Sequence, residues 1–189
     1  MKQIVRTLGV WLLLLVSGAL FAASSAAEID KERAEVRKTS AEVLNKLYKV
    51  HPSARQAVQS AAGYAAFSNF GMKILVAGSG TGKGIAVKKG SKEIFMKMAE
   101  VQAGLGFGVK KFNLVFVFQN ASAFDSFVNS GWESSAQATA AATDGKKGGS
   151  YAGAIPLGNG VYVYQMTDEG LAAELTVKGT KYYKDDDLN

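Results

Sequence analysis

The chain has 189 residues, of which 22 are lysine or arginine and 16 are aspartate or glutamate, giving a formal net charge of +6 at pH 7. It contains no cysteine, which excludes disulfide bonds and thiolate metal sites, so packing alone must hold the fold. The length suits one domain with a hydrophobic core of its own.

The first 27 residues have the three-part pattern of a secretory signal peptide. A basic start that includes Lys2 is followed by an apolar run over residues 8–21 and by small residues up to Ala27. The apolar run is shorter than the roughly 20 residues that a membrane span needs. We therefore predict cleavage near Ala26 or Ala27, which would lower the net charge to +4, and a periplasmic location. An uncleaved membrane anchor is the alternative.

Residues 28–62 are predicted to be helical. Over residues 28–50, aliphatic residues recur every seven positions and opposite charges lie four apart on the other face. Ser53 is a candidate N-cap for a second helix over residues 54–62, and Gly63 is a candidate C-cap. The pattern of the first helix favours docking on the protein's own sheet, and a helix lying on a membrane surface is the alternative.

Residues 63–184 are predicted to form a β-rich core. Glycines alternate with other residues in two segments, at positions 78, 80, 82 and 84 and again at 104, 106 and 108. Alternate residues of a strand share a face, so each segment would have one bare backbone face. Such a face allows close approach of another part of the chain, or it leaves a groove for a thin ligand such as an acyl chain. Both explanations stay open.

Further elements follow from local patterns. In chain order, we predict a strand buried on both faces over residues 114–118, a helix over 122–129, a flexible loop over 143–150, a turn at 158–160, a strand over 161–166 and a solvated acidic tail over 185–189. Short strands with frequent glycine turns indicate an α+β fold. We expect an antiparallel sheet or small β-barrel, with the N-terminal helices and one internal helix packed against it, in a single domain over residues 28–189.

Catalytic and nucleotide-binding motifs are weak. Around the glycine run at 78–84, Ala77 and Gly84 stand where a Walker A loop needs glycine and Ser or Thr, and the dinucleotide fingerprint fails as well. The single histidine, His51, precedes Pro52 in a predicted turn between helices, which favours a structural role. We expect no enzyme activity, no cofactor, no metal site and no nucleic-acid partner.

Positive charge is concentrated between Lys73 and Lys111. This segment contains eight lysines and only two acidic residues, Glu93 and Glu100, so its formal charge is +6. Lysine is a point charge without the planar fork of arginine, so such a group indicates diffuse attraction to an anionic surface. Solubility is the alternative role for any one of these lysines.

Several segments carry a family pattern in their order and spacing. They are the segment 62–67, the glycine strand 80–84, Val101-Gln102-Ala103-Gly104-Leu105-Gly106-Phe107-Gly108, the strand 114–118, Phe124 and Phe127 before Gly131-Trp132, the alanine-rich stretch 136–142, and the ending Gly170-Leu171 with Gly179-Thr180-Lys181. Together they resemble the SYLF domain, also called the Ysc84 actin-binding domain, over residues 60–184.

The resemblance implies lipid binding, to phosphoinositides in eukaryotic members and to membrane phospholipids in exported bacterial members. Some eukaryotic members bind actin, which we do not expect for an exported protein of bacterial type. Where the family commonly has Gly-Ala-Asp-Ala after the tryptophan, this chain has Ser135-Ala136-Gln137-Ala138, so Gln137 stands in place of the family's usual Asp.

We therefore predict an exported protein that binds anionic phospholipid or a membrane surface. A lysine-rich face would hold the head groups, and glycines with apolar neighbours would shape a groove. The predicted residues are Lys83, Lys88, Lys89, Lys110 and Lys111 for the face, and Gly80, Gly82, Gly104, Gly106, Leu105 and Phe107 for the groove. The alternative is an envelope protein-interaction or structural module without a lipid ligand.

Overall fold

The computed structural model describes residues 2–74, 77–103, 108–130, 132–134, 151–167, 170–171 and 180–189. Its helices are α1 (Lys2–Val50), α2 (Ala54–Ser60) and α3 (Ala121–Asn129). Its strands are β1 (Gly63–Ile74), β2 (Ala77–Lys88), β3 (Glu93–Ala103), β4 (Gly108–Phe118), β5 (Trp132–Ser134), β6 (Ile155–Gly158), β7 (Val161–Thr167), β8 (Gly170–Leu171) and β9 (Thr180–Lys184). The strands form one sheet in the order β5-β9-β3-β2-β1-β4-β7-β6, with β8 paired to β7, and all pairs are antiparallel. The predicted α+β class is confirmed.

The sheet packs on both faces, because successive side chains of a strand point to opposite sides. On one side, Phe67 and Phe116 belong to a core that includes Phe127 of α3; we call this side the α3 face. On the other side, Val115 belongs to a core that includes Leu47 of α1; we call it the α1 face. The N-terminal helices and the internal helix therefore lie on opposite faces of the sheet.

Strand β4 runs through the centre of both cores. Each residue from 114 to 118 is at most 1% exposed, as the continuous apolar run predicts. The strand lies between β1 and β7 in the sheet and has a helix on each face, which explains why no position in this run is polar.

Helix α1 docks on the sheet, so the prediction that residues 28–50 pack on the protein's own sheet is confirmed. Val36, Val43 and Leu47 are at most 6% exposed and lie in the cores beneath the helix. Ser40 lies between them and donates its hydroxyl to the Ala66 carbonyl, 3.3 Å away. The helix ends at Val50, as predicted, and its N-terminal end lies at Lys2.

Of the two caps predicted next to α2, the first is confirmed in position only and the second is wrong. Ser53 occupies the N-cap position, but it makes no side-chain capping hydrogen bond and has helical dihedral angles itself. Gly63 is the first residue of β1 instead of a helix C-cap. A Cβ at Gly63 would lie 2.5 Å from Cδ2 of Phe124 and 2.9 Å from the Val87 carbonyl oxygen. Gly63 therefore allows α3 to pack closely on the sheet.

Helix α3 confirms the predicted internal helix with a start one residue earlier. Asn120 is its N-cap, and its side-chain oxygen accepts a hydrogen bond from the Ala123 amide at 2.8 Å. Phe124, Phe127 and Val128 are at most 3% exposed and form the apolar side of the helix. This side supplies much of the aromatic core on the α3 face.

The predicted turn at 158–160 is confirmed and joins β6 to β7. Gly158, Asn159 and Gly160 all have positive φ, at 86°, 50° and 77°. Glycine and asparagine are the residues that adopt this region at least cost, which is why the sequence pattern is a reliable turn signal here.

The acidic C-terminal tail is only partly solvated: Asp186 and Asp187 are exposed, as predicted, but Asp185 and Leu188 are buried. Asp185 is 1% exposed, and its Oδ1 lies 2.7 Å from Nζ of Lys97. Leu188 is 2% exposed and packs with Phe95 in a third core cluster. The side chain of Asn189 hydrogen bonds with both the amide and the carbonyl of Phe95. The last residues therefore close one edge of the core.

Within the described part of the chain, no helix combines the length and the apolar character needed to cross a bilayer. The signal peptide over residues 1–27, its cleavage and the periplasmic location stay predictions. The predicted loop over 143–150 lies outside the described residues.

Candidate functional site

The bare side of strand β2 belongs to the α3 face. Gly80 and Gly82 alternate in phase with Ala86, which lies in the core beneath α3. Gly82 pairs with Asn69 of β1 on one side and with Met98 of β3 on the other. The two strands flanking the glycines thus direct side chains over the bare segment.

The glycines of β2 accommodate close approach of β1. A Cβ on Gly82 would lie 1.8 Å from Oδ1 of Asn69, and one on Gly84 would lie 2.1 Å from the Ala66 carbonyl oxygen and 2.7 Å from Cδ1 of Phe67. This geometry supports the close-approach explanation for the glycine strand. The open groove predicted to include Gly82 is not present at this position, because Asn69 fills the space.

Buried polar side chains gather around the glycine segment. Glu100 of β3 pairs in register with Gly80 and with Thr180 of β9, and Glu100 and Thr180 are 2% and 1% exposed. Asn69 is 3% exposed, and neither Oδ1 nor Nδ2 has a hydrogen-bond partner in the described structure. The same holds for Oγ1 of Thr180, and also for Oε1 of Gln165 in β7, which β1 and β4 separate from the glycine strand. Buried polar groups are normally hydrogen bonded, so this concentration needs an explanation.

Tyr182 completes this polar group from the neighbouring strand. It is fully buried, pairs with Met98, and its ring lies 5.0 Å from the rings of Phe67 and Phe116. Burial and, as a smaller cause, the negative charge of Glu100 raise the pKa of Tyr182 well above its usual value. Its hydroxyl therefore stays protonated through the neutral range.

The sequence analysis missed Asn69, Glu100 and Thr180. One signal for Glu100 was available, because Met96 and Met98 occupy alternate buried positions of β3 and Glu100 continues that alternation. A charged residue in phase with buried apolar residues marks a polar group inside a core. Placing Asn69 and Thr180 next to it requires the strand order, which the local pattern does not contain.

The structure does not bring the predicted lysines to one face. Nζ of Lys83 pairs with the carboxylate of Glu32 in α1. Nζ of Lys88 lies 2.8 Å from both carboxylate oxygens of Asp125 in α3. Because α1 and α3 lie on opposite faces of the sheet, the prediction of a single lysine-rich face is wrong.

The predicted lysines also lie at different ends of the sheet. Lys88 pairs with Gly63 at the start of β1, and Lys111 pairs with Phe70, seven residues further along. Seven residues of extended chain span roughly 23 Å. Lys110 precedes Lys111 in β4, so these two lysines form a group separate from Lys88.

One end of the sheet, which we call the turn end, contains four strand termini. They are the end of β1 at Ile74, the start of β2 at Ala77, the end of β3 at Ala103 and the start of β4 at Gly108. Ala77 pairs with Ile74 and with Ala103, and Gly108 pairs with Lys73, so the four termini lie together. Lys111 is exposed near this end.

The opposite end of the sheet contains the connection between β2 and β3. Lys89 and Lys92 lie in this connection and are both exposed. Lys89 is therefore separated from Lys110 and Lys111 by the length of the strands. Four other predicted residues lie outside the described residues, in the segment between β3 and β4: Gly104, Leu105, Gly106 and Phe107. Gln137 also lies outside the described residues.

A cavity of about 290 Å³ lies between α1 and the sheet. Its lining consists of Glu32, Glu35, Val36, Thr39, Ser68 and Lys83. The carboxylate of Glu32 neutralises the one lysine in this lining. The cavity is on the α1 face, so the sheet separates it from the buried polar group around Gly80 and Gly82.

His51 has structural contacts that match its predicted role. Its amide donates to the Leu47 carbonyl at the end of α1, and its Nε2 contacts the Ala152 carbonyl oxygen. Its ring packs edge-on against Tyr164 at 6.1 Å. Among the residues that the structure describes, no group of three or more histidine, aspartate or glutamate side chains is arranged to hold a metal ion.

These features define an α+β domain in which one antiparallel sheet, with a glycine strand at its centre, lies between N-terminal helices and one internal helix. Residues 99–189 of the chain carry the Ysc84 domain, also called the SYLF domain, as the sequence motifs indicate. The family model, described as "Las17-binding protein actin regulator", matches residues 99–189.

A curated relative is the protein named "Beta cell expansion factor A" from Aeromonas veronii. It is 31% identical to this chain over 146 residues, which are 77% of this chain and 54% of the relative. This chain therefore spans about half the length of that relative.

Proposed function

We propose that this protein binds the surface of anionic phospholipid membranes through the turn end of its sheet. The arrangement of the four strand termini carries the proposal, because the sequences that join them are apolar. Leu75-Val76 connects β1 to β2, and Leu105 and Phe107 lie between β3 and β4. Two apolar connections at the same end of a sheet suit insertion into the interfacial region of a bilayer.

Lysines flank these apolar connections in the strands. Lys73 is the second-last residue of β1 and pairs with Gly108, the first residue of β4. Lys110 and Lys111 follow in β4. A lysine near an anionic membrane surface contributes about 1 kcal/mol to binding, so three of them supply a useful share of the affinity.

The ion pairs of Lys83 and Lys88 give these two lysines a different role. Lys83 is neutralised by Glu32 on the α1 face, and Lys88 is held by Asp125 on the α3 face. We assign both to the docking of helices on the sheet. The membrane contact is assigned to Lys110 and Lys111 among the lysines predicted from the sequence.

Family membership supports a lipid ligand and a non-catalytic role. The resemblance to the SYLF domain implies phospholipid as the ligand. A periplasmic location, which we propose from the predicted signal peptide, would make membrane phospholipid available. Actin is not proposed, since an exported protein of bacterial type would not meet it.

Vesicle flotation tests this function. The chain is mixed with vesicles of phosphatidylcholine alone or of phosphatidylcholine with phosphatidylglycerol. We expect flotation with the anionic vesicles and a strong loss of it when ionic strength rises from about 0.1 M to 1 M, since the Debye length falls from about 10 Å to 3 Å. Equal binding to both kinds of vesicle, or no binding to either, would overturn the proposal.

A further inference from the structure

The cavity between α1 and the sheet combines charges of both signs in a small volume. Glu32 and Glu35 line it from α1, and Lys83 lines it from β2. Pockets for small molecules span roughly 300–1,000 Å³, so a cavity of about 290 Å³ suits only a small ligand. Two carboxylates and one ammonium give the lining a net charge of −1, which disfavours a ligand with negative charge alone.

The secondary structure explains why these polar groups meet. On α1, Glu35 follows Glu32 by three residues and Thr39 follows Glu35 by four, so the three side chains share one side of the helix. On the sheet, Ser68 of β1 pairs in register with Lys83, and directly opposite residues of paired strands share a face. The cavity therefore has an acidic wall from the helix and a floor that contains one lysine and one hydroxyl.

Several polar groups of this lining remain available to a ligand. An ammonium has three N–H donors, and the ion pair of Lys83 with Glu32 leaves some of them unused. Within the described part of the chain, Glu35 is exposed and has no ion pair. The hydroxyls of Thr39 and Ser68 can each donate one hydrogen bond. The cavity thus offers donors and a carboxylate beyond those that hold α1 on the sheet.

A phosphate and a primary ammonium in one small molecule match these groups. Lysine holds phosphate as a point charge, and the two hydroxyls can donate to its further oxygens. The carboxylate of Glu35, with that of Glu32 near it on the helix, accepts hydrogen bonds from a primary ammonium. The positive charge of the ligand offsets the repulsion between these carboxylates and the phosphate.

We propose that this cavity binds the phosphomonoester of a small amino alcohol, with its phosphate on Lys83 and its ammonium on Glu35. A phospholipid head group with a primary amine carries related chemistry, but the cavity is far from the turn end. Ser68 lies six residues before the end of β1 at Ile74, which is roughly 20 Å along an extended strand. A head group in a membrane at the turn end does not reach that far, so the ligand is a soluble compound. The site goes beyond the proposed membrane contact and does not depend on it.

Titration of the full chain with O-phosphoethanolamine, followed by amide chemical shifts in NMR spectra, tests the site. We expect saturable shifts at the residues that line the cavity and none at the turn end. Phosphocholine lacks N–H donors on its cation, and glycerol 3-phosphate has no cation. We expect both to bind at least about threefold more weakly, because they lose the contact with Glu35. Absence of saturable shifts with O-phosphoethanolamine, or equal affinity for phosphocholine, would overturn the proposal.

Glu35→Gln tests the ammonium contact with little risk to the fold, because this side chain is exposed and has no ion pair within the described part of the chain. We expect binding of O-phosphoethanolamine to weaken about three- to tenfold and the melting temperature to stay the same. Glu42→Gln is the matched control, since Glu42 is also exposed on α1 but does not line the cavity. Equal weakening by both variants, or none by Glu35→Gln, would show that Glu35 does not bind the ligand.

Vesicles separate a soluble ligand from a lipid head group. Adding phosphatidylethanolamine to the anionic vesicles should leave flotation of the chain unchanged. A gain in flotation that Glu35→Gln removes would assign the group to a membrane lipid and overturn the soluble ligand. Flotation of Glu35→Gln with phosphatidylglycerol-containing vesicles should equal that of wild type, so failure of this site is distinct from failure of the membrane contact.

Discussion

Asn69 and Gly82 face each other across β1 and β2, and Oδ1 of Asn69 lies only 1.8 Å from the position that a Cβ of residue 82 would take. The absence of a side chain at one residue thus creates the space that the other occupies. This relationship places a polar amide above the centre of the sheet, where the neighbouring side chains are buried.

Gly82→Ala is expected to destabilise the protein because the new methyl group collides with the Asn69 amide. Forcing a buried side chain out of its place typically costs about 1–3 kcal/mol in the free energy of unfolding. Urea denaturation of the single variant and of Gly82→Ala with Asn69→Ala measures this. Truncation of Asn69 should recover part of the loss.

Gly84→Ala is the matched control for that rescue. Its new Cβ would meet a backbone atom, the Ala66 carbonyl oxygen at 2.1 Å, which no side-chain truncation removes. Asn69→Ala should therefore leave the destabilisation by Gly84→Ala unchanged. An equal rescue of both glycine variants would contradict the contact between Asn69 and Gly82.

Lys97→Met is expected to lower the free energy of unfolding by about 2–4 kcal/mol, because it leaves the buried carboxylate of Asp185 without its cation. The hydrogen bonds to Asp185 and, second, to Asp187 raise the pKa of Lys97, so the lysine stays charged throughout the neutral range. Asp187→Asn is the control, since Asp187 is 81% exposed and solvent screens its pair with Lys97, so we expect a much smaller effect. Equal effects of the two variants would refute the buried role of Asp185.

Stability is expected to fall at alkaline pH, with Tyr182 as one cause. Burial raises its pKa in the folded protein, whereas the unfolded chain releases the proton near pH 10. The unfolded state therefore binds fewer protons above pH 10, and stability declines as pH rises. Burial also raises the pKa of Tyr164, to about 12, so Tyr182→Phe should reduce the decline without abolishing it. Chemical denaturation at pH 8 and pH 11 measures the free energy of unfolding at each pH. An equal fall in this free energy between the two pH values for variant and wild type would contradict the prediction.

Much of the fold could be predicted because its signals are local. The apolar run at 114–118, the amphipathic pattern of α3 and the glycines at 158 and 160 each specify their own element through burial, helical spacing or positive φ. The predictions at Gly63 and Asp185 failed for the opposite reason. Their environments come from Phe124 and Lys97, which are distant in sequence, so the local pattern does not contain them.

The failed prediction of a lysine-rich face shows which part of a site the sequence can reveal. Lys83 and Lys88 are an odd number of residues apart on one strand, so alternation alone places them on opposite faces. Their assignment to α1 and α3 requires the helix positions, and the separation of Lys88 from Lys111 requires the pairing of β1 with both neighbours. Charge density along a sequence therefore overstates the charge density of a surface.

The most direct test of the membrane contact is charge reversal at each end of the sheet, with the same change in net charge. Lys110→Glu with Lys111→Glu alters the turn end, and Lys89→Glu with Lys92→Glu alters the exposed connection at the opposite end. Binding to phosphatidylglycerol-containing vesicles should weaken at least about tenfold for the first pair and change little for the second, since each lysine at the surface contributes about 1 kcal/mol. Equal loss in both pairs would show that only the net charge matters, and no loss in the first pair would contradict binding through the turn end.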